Sequence, residues 1–326
     1  MISLYCFREP LSPLFSQTLI DMAGLRGAVL AIAVGTSLFC SWTLGAAVVA
    51  EDSGLNMLKC TITSRCQLFD NKTQEKWNCQ NIWNTFYASI PAVSDDVCDL
   101  PSNQYSEYIR QTQQAIPKDK TLLWSGRDVL GTMIKNYTES CHVINLEYTF
   151  TGCLLDDLKW CNQAGELEKC DDCKVFSKSS VGAFWNQASL EFAGEASGLV
   201  SILLSGKRKG GAFIETSILA TVELPTLRTS HVTKVQILLL DKTETEQCGK
   251  GTVKTLQEKL KEYGFEENCE DNVNEIYGRL CEERRREGDI PGFYHCSSAN
   301  LERATFFGTF LVMLYTYINN FCNQKI

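Results

Sequence analysis

Val235-Gln236-Ile237-Leu238-Leu239-Leu240 is apolar at every position but one. A run this short and this apolar reads as a strand covered on both faces, because a half-exposed strand would alternate with polar residues. Leu199 to Leu204 and Ala220 to Leu224 are also strand-like, and Thr121-Leu122-Leu123-Trp124 is a shorter apolar run closed by Gly126. The last predicts a buried strand that delivers Trp124 and Ser125 at its C-terminal end. Elsewhere the period is helical: Ile82, Trp83, Phe86 and Tyr87, then Tyr105 and Ile109, make residues 60–118 helical territory, and residues 145–160 and 180–198 return to that pattern. Between Val253 and Tyr263 an amphipathic helix ends at Gly264. Helices first, then strands alternating with helices, predict a mixed α+β or α/β fold of two lobes. A helical lobe (about 60–117 plus 145–197) would lie beside a small parallel-sheet lobe (about 118–144 plus 198–296), with the ligand cleft between them.

With 326 residues, 44% of them hydrophobic, the chain can build a sizeable core. A net charge of −8 argues against a nucleic-acid partner, which needs a concentrated basic surface. The basic runs Lys207-Arg208-Lys209 and Arg284-Arg285-Arg286, the second flanked by Glu282, Glu283 and Glu287, read as solvated faces. Sixteen cysteines point to an oxidising compartment and to disulfides. Cys170-Asp171-Asp172-Cys173 is the one CxxC and no second pair repeats it, so no metal site is expected.

Both ends carry targeting features. Arg26 precedes an uncharged stretch from Gly27 to Ala50, with small residues at Val48-Val49-Ala50, so residues 1–50 read as a signal peptide; Met22 is an alternative start and a retained anchor the competing reading. Ala304 to Phe321 is free of charge and follows Ser297-Ser298-Ala299-Asn300, an arrangement similar to a glycosylphosphatidylinositol attachment signal in residues 297–326, with Ser297 or Ser298 as the lipid-bearing residue. A docked terminal helix and a short membrane anchor remain open. Asn71-Lys72-Thr73 and Asn136-Tyr137-Thr138 are glycosylation sequons.

Histidine-based catalysis is not favoured: the histidines are His142, His231 and His295, and no GxSxG, HExxH or GxGxxG occurs. Four segments remain: LLWSG at Leu122 to Gly126, NLEYTFTGCLLDDLKWC at Asn145 to Cys161, VGAFW at Val181 to Trp185, and ATVEL at Ala220 to Leu224. Together and in this order they resemble the ADP-ribosyl cyclase/cyclic ADP-ribose hydrolase family, from about Cys60 to Cys296. The resemblance implies a catalytic domain over residues 51–296 and the pairs Cys66–Cys79, Cys98–Cys173, Cys161–Cys170, Cys248–Cys269 and Cys281–Cys296. A further bridge of some relatives would fall at Lys118 and Ser197, where both cysteines are absent; Cys60, Cys141 and Cys153 are left over.

The same resemblance implies chemistry on NAD, and on NADP as a further substrate. Nicotinamide leaves a pyridinium as a neutral molecule, so one carboxylate can suffice where ordinary glycosides use two. Glu223 would stabilise the ribosyl cation; Glu147 and Asp156 would hold the nicotinamide carboxamide. Those two are nine residues apart, about 13.5 Å along a helix at about 1.5 Å per residue, so a bend must bring them to one site. Trp124 and Trp185 would be aromatic walls, or else core tryptophans. Ser125 would bond a phosphate, but relatives with Arg next find Gly126 here, with Arg127 one place later. Tyr148 replaces the Asp that many relatives have after the glutamate, and Ile218 occupies a position that affects folding of the substrate. Metal, cofactor and nucleic acid are not expected; the membrane would be reached through the lipid anchor, on the plasma-membrane exterior or facing a vesicle lumen, with a homodimer left open. The rival class is a catalytically silent receptor or adhesion ectodomain of the same fold.

Overall fold

Helix α1 (Ser53–Thr73) puts Leu55, Leu58, Ile62, Cys66 and Phe69 into the core at helical spacing. Around it the computed structural model, which describes residues 53–73, 76–93 and 95–271, packs α2 (Cys79–Ser89), α3 (Ser106–Thr112), α5 (Phe150–Leu155) and α6 (Ser180–Gly194). Side-chain caps set several starts: Asn78 accepts from Asn81 N–H, Thr149 from Gly152 N–H and Ser179 from Gly182 N–H.

The strands β1 (Thr121–Trp124), β2 (Gly198–Ser205), β3 (Val232–Leu240) and β4 (Glu267–Glu270) form one wholly parallel sheet in the order β1-β2-β3-β4. Alternate residues divide between its faces. Leu123, Ile202, Leu204, Val235, Ile237 and Leu239 join the main core with the helices named above. Leu122, Leu203, Leu238 and Leu240 pack with Leu130, Ile134 and Tyr137 of α4 (Arg127–Cys141). The double cover expected of Val235 to Leu240 is thus present. Helix α7 (Gly251–Glu262) turns Val253, Leu256 and Leu260 inward and is followed by Gly264 at φ +84°.

One expected strand is a helix. Ala220 to Leu224 lies in a π-helical turn, Leu219–Glu223, running into a short helical turn, Leu224–Thr226. Leu224 N–H reaches five residues back to Leu219 O, and Pro225 has no N–H with which to close a regular α-turn on Thr221. A five-residue apolar run carries too few positions to separate the two periods.

Disulfides join Cys66–Cys79, Cys98–Cys173, Cys161–Cys170 and Cys248–Cys269, and Cys60, Cys141 and Cys153 are also disulfide-bonded. No odd thiol is left among the last three. The segment 1–50, the Cys281–Cys296 pair, Ser297, Ser298 and the hydrophobic tail lie outside the described residues, as do the side chains of Asn71 and Asn136. Among the described residues no helix is long and apolar enough to cross a membrane.

Where the further bridge is missing, Asp119 ties the same segments together without sulfur. Its N–H donates to Ser197 O at 2.9 Å, and its Oδ1 accepts from Leu199 N–H at 2.6 Å. Asp119 holds φ +65°, and a Cβ on Gly198 would lie 2.0 Å from that oxygen, so the contact requires glycine beside it. Asp119→Ala removes the acceptor and leaves alanine in the left-handed region. The substitution is expected to cost about 1–3 kcal/mol. Urea unfolding should show a lower midpoint at unchanged slope; an unchanged midpoint would rule this tie out as a staple.

Candidate active site

The C-terminal end of β1 carries the first site residues. Trp124 is half-buried, and its indole Nε1 donates to Glu147 Oε2 at 3.1 Å. Ser125 is buried. Parallel sheets gather ligands at this edge, where the loops leave the strands.

Glu147 and Asp156 do not share a helix. Leu146–Tyr148 forms a single 3₁₀ turn, Thr149 breaks it with extended backbone (φ −76°, ψ 159°), and α5 starts anew. A Cβ on Gly152 would lie 2.1 Å from Leu146 O, so only glycine lets α5 fold back this closely onto the turn. This is the bend that the nine-residue spacing demanded. Asp156 ends α5, where Arg65 Nη1 of α1 donates to Asp156 O at 2.7 Å and to the carbonyls of Cys153 and Leu154 at 3.2 Å. Arg127, at the start of α4, pairs with Asp156 Oδ1 at 3.4 Å and with Asp157 more closely. The cation one place beyond Gly126 is therefore committed to these carboxylates. Tyr148 turns its hydroxyl to Glu139 Oε1 at 3.3 Å.

Glu223 ends the π-helical turn and is 7% exposed. Ser189 of α6 lies beside its carboxyl and eases its ionisation, while Oε2 is buried with no hydrogen-bond partner among the described residues. Helix α6 packs against both the Leu146–Tyr148 turn and the π-helical turn, and β1 also meets the latter, so the segments bearing Trp124, Glu147 and Glu223 converge. Trp185, half-buried on α6, packs edge-on against Phe184 (5.0 Å between centroids, 68° between planes). Ile218, half-buried, immediately precedes the π-helical turn.

Three acids crowd this space and all are harder to ionise than usual. Burial, then the charge of Glu147, outweighs the easing effect of Ser189 and pushes Glu223 up to about 8. Burial, then the charge of Asp156, pushes Glu147 up to about 7 despite bonds from its own backbone and the Trp124 indole. Asp156 is raised by burial first and then by Asp157, against Arg127 and Arg65. A site that holds carboxyls protonated near neutrality and leaves one oxygen unmatched is arranged for a cation and for amide groups. Among the described residues no cluster of His, Cys, Asp and Glu could hold a metal ion.

Ser189, Arg65 and Arg208 were not legible as site residues. Ser189 lies on the face of α6 that meets Glu223, four residues beyond Trp185, so helical spacing from that tryptophan would have pointed to it. Arg208, read as part of a solvated run, is only 16% exposed along its side chain and donates from Nη1 to Ser125 Oγ at 2.6 Å.

A family model described as ADP-ribosyl cyclase matches residues 56–289. The ADP-ribosyl cyclase/cyclic ADP-ribose hydrolase 2 of Homo sapiens is 27% identical over 203 residues, covering 60% of this chain and 62% of that protein. The Rattus norvegicus form is 26% identical, over 63% and 65%, and the Aplysia californica ADP-ribosyl cyclase/cyclic ADP-ribose hydrolase 30%, over 63% and 73%. The chain thus spans under two thirds of the length of the human and rat relatives it matches. Among solved structures, Aplysia cyclase complexed with substrate NGD and product cGDPR superposes with a TM-score of 0.57 at 26% identity, covering 69% of this chain and 93% of that one. Porcine CD38 complexed with a covalent intermediate, ribo-F-ribose-5'-phosphate, gives 0.58 at 28%, covering 66% and 95%.

Proposed function

This chain belongs to the ADP-ribosyl cyclase family, and from that premise we propose that it cleaves the nicotinamide–ribose bond of NAD. The observation that carries the proposal is the buried Glu223 carboxyl, beside Ser189 and unmatched at Oε2. As the C–N bond breaks, its electron pair goes to the pyridinium nitrogen and neutral nicotinamide departs, leaving positive charge on the ribosyl carbon. An ionised Glu223 stabilises that charge in a place where little water screens it. The incoming cation also lowers the carboxyl's affinity for its proton, so substrate binding readies the group.

Glu147, poised near neutrality, can donate to the carboxamide oxygen when protonated and accept from the amide nitrogen when ionised, with the Trp124 indole fixing its rotamer. Asp156 supplies a second such group, steadied by Arg127 and Arg65. Trp124 and Trp185 give flat faces for the nicotinamide or the folded-back purine. Water at the ribosyl carbon gives ADP-ribose, a purine nitrogen gives cyclic ADP-ribose, and another pyridine gives an exchanged dinucleotide, on NAD or NADP. The same reading includes a signal segment at 1–50, a catalytic domain at 51–296 and a tail at 297–326 bearing a lipid anchor at Ser297 or Ser298. It also includes glycans at Asn71 and Asn136 and residence on the outer cell surface or facing a vesicle lumen.

The test is chromatography of NAD incubated with the full chain purified from a eukaryotic secretory host. Release of nicotinamide with cyclic or linear ADP-ribose is the expected result; intact NAD beside a folded protein would favour a silent ectodomain. Ile218, a bulky apolar residue beside the Glu223 turn, favours a compact substrate pose. Ile218→Ala should therefore lower the ratio of cyclic to linear product several-fold, and an unchanged ratio would remove Ile218 from product control.

A further inference from the structure

We infer that Arg208, on the loop after β2, anchors the diphosphate of the dinucleotide substrate; the inference deepens the proposed function and rests on it. The relatives' arginine after the Trp-Ser pair has no counterpart at Gly126, whose φ of +111° is a conformation that an arginine would adopt only under strain. A Cβ at Gly126 would lie 3.2 Å from Arg208 Cδ and 3.2 Å from Val129 Cγ2. The stem of Arg208 therefore fills the space that a side chain at 126 would need, and brings a guanidinium to the same corner from a neighbouring strand's loop.

The rest of the basic run behaves differently. Lys207 is 68% exposed and pairs with Asp241 at 3.0 Å, and Lys209 is exposed. Arg208 alone of the three turns inward. It donates to Ser125 Oγ, and the nearest carboxylate oxygen to its Nε, on the largely exposed Asp128, stands at 3.9 Å. Arg127 faces Asp156 and Asp157 instead. Ser125 takes one of the five guanidinium donors, and the planar fork suits two phosphate oxygens. The corner lies at the C-terminal edge of paired parallel strands, where loops leave a parallel sheet toward its ligands. A fixed cation and a hydroxyl thus share one edge with Trp124.

The assignment predicts a phosphate-dependent defect. Nicotinamide release would be followed for the full chain with NAD and with nicotinamide riboside, which has the same scissile bond and no phosphate. Arg208→Gln should lower kcat/KM for NAD by about 10- to 100-fold, the scale of a charge-assisted hydrogen bond, and leave the riboside unaffected. Arg208→Lys, which keeps the charge without the fork, should fall between, and Lys209→Gln should change neither substrate. ADP-ribose affinity, measured by calorimetry, should weaken in Arg208→Gln by a similar factor, a readout independent of turnover. Equal losses on both substrates would reduce Arg208 to a structural support of this corner and overturn the assignment, as would unchanged NAD kinetics; if Arg208→Gln does not fold, Arg208→Lys decides by the same comparison. A wild-type chain that releases nicotinamide from neither substrate fails the functional reading before any variant is compared.

Discussion

Glu223→Gln should abolish nearly all nicotinamide release, lowering kcat by about 10³-fold, while the protein stays folded. The scale follows from Coulomb's law: a carboxylate about 4 Å from a developing unit charge contributes roughly 4 kcal/mol at an effective dielectric near 20, and each ~1.4 kcal/mol is tenfold in rate. Glutamine keeps the shape and the Ser189 contact but offers only a dipole. Because the free protein holds Glu223 at about 8 and Glu147 at about 7, and the Glu147 charge makes Glu223 harder to ionise, kcat/KM should climb with pH through that range. The apparent values of that rise belong to the interacting acids together. Product chromatography across pH 5.5–9 checks both parts; a variant retaining more than a tenth of wild-type kcat would remove Glu223 from the chemistry.

How far this site could be read from the sequence depended on the range of the contacts involved. Three of the four strands were legible because burial on both faces leaves a continuous apolar run, as in Val235 to Leu240. Strand β4, Glu-Asn-Cys-Glu, carries no apolar run because an edge strand answers to one neighbour and can be mostly polar. The turn at Leu219–Glu223 reads as a strand for want of length, although Pro225 marks a backbone that cannot continue a plain ladder. Glu147, Asp156 and Glu223 were identified by their resemblance to family motifs, and the need for a bend between the first two followed from helical rise alone. Arg65 and Arg208 meet the site from 91 and 83 residues away in sequence, and no local period reports such contacts, whereas Ser189 is reached by helical spacing from Trp185. Within the run Lys207-Arg208-Lys209 only packing distinguishes the inward cation from its two exposed neighbours.

The substitution that silences the enzyme should also stabilise it. Glu223 is 7% exposed, and burial raises its pKa from the ordinary carboxylate range to about 8 in the folded chain. A raised folded value means that the folded state holds a proton which the unfolded chain has lost, so the stabilisation is full below the unfolded value, near 4.5, and is lost as pH rises through about 8. The limiting slope over that window is about 1.4 kcal/mol per pH unit for one group. Local relaxation and water reduce the realised sum, so the variant should exceed wild type by about 2–4 kcal/mol at pH 8.5 and match it within about 1 kcal/mol at pH 4.5. Glutamine exchanges an unmatched buried acceptor for an unmatched donor, two similar costs, which leaves the charge as the main difference. Denaturant titrations of both proteins at the two pH values measure it, and parallel stabilities at pH 8.5 would show that the carboxylate is solvated in the folded chain. A buried carboxyl without a partner is unfavourable to folding in proportion to its readiness for a cation, so opposite signs in kcat and in stability from one substitution are the signature of a group kept for catalysis.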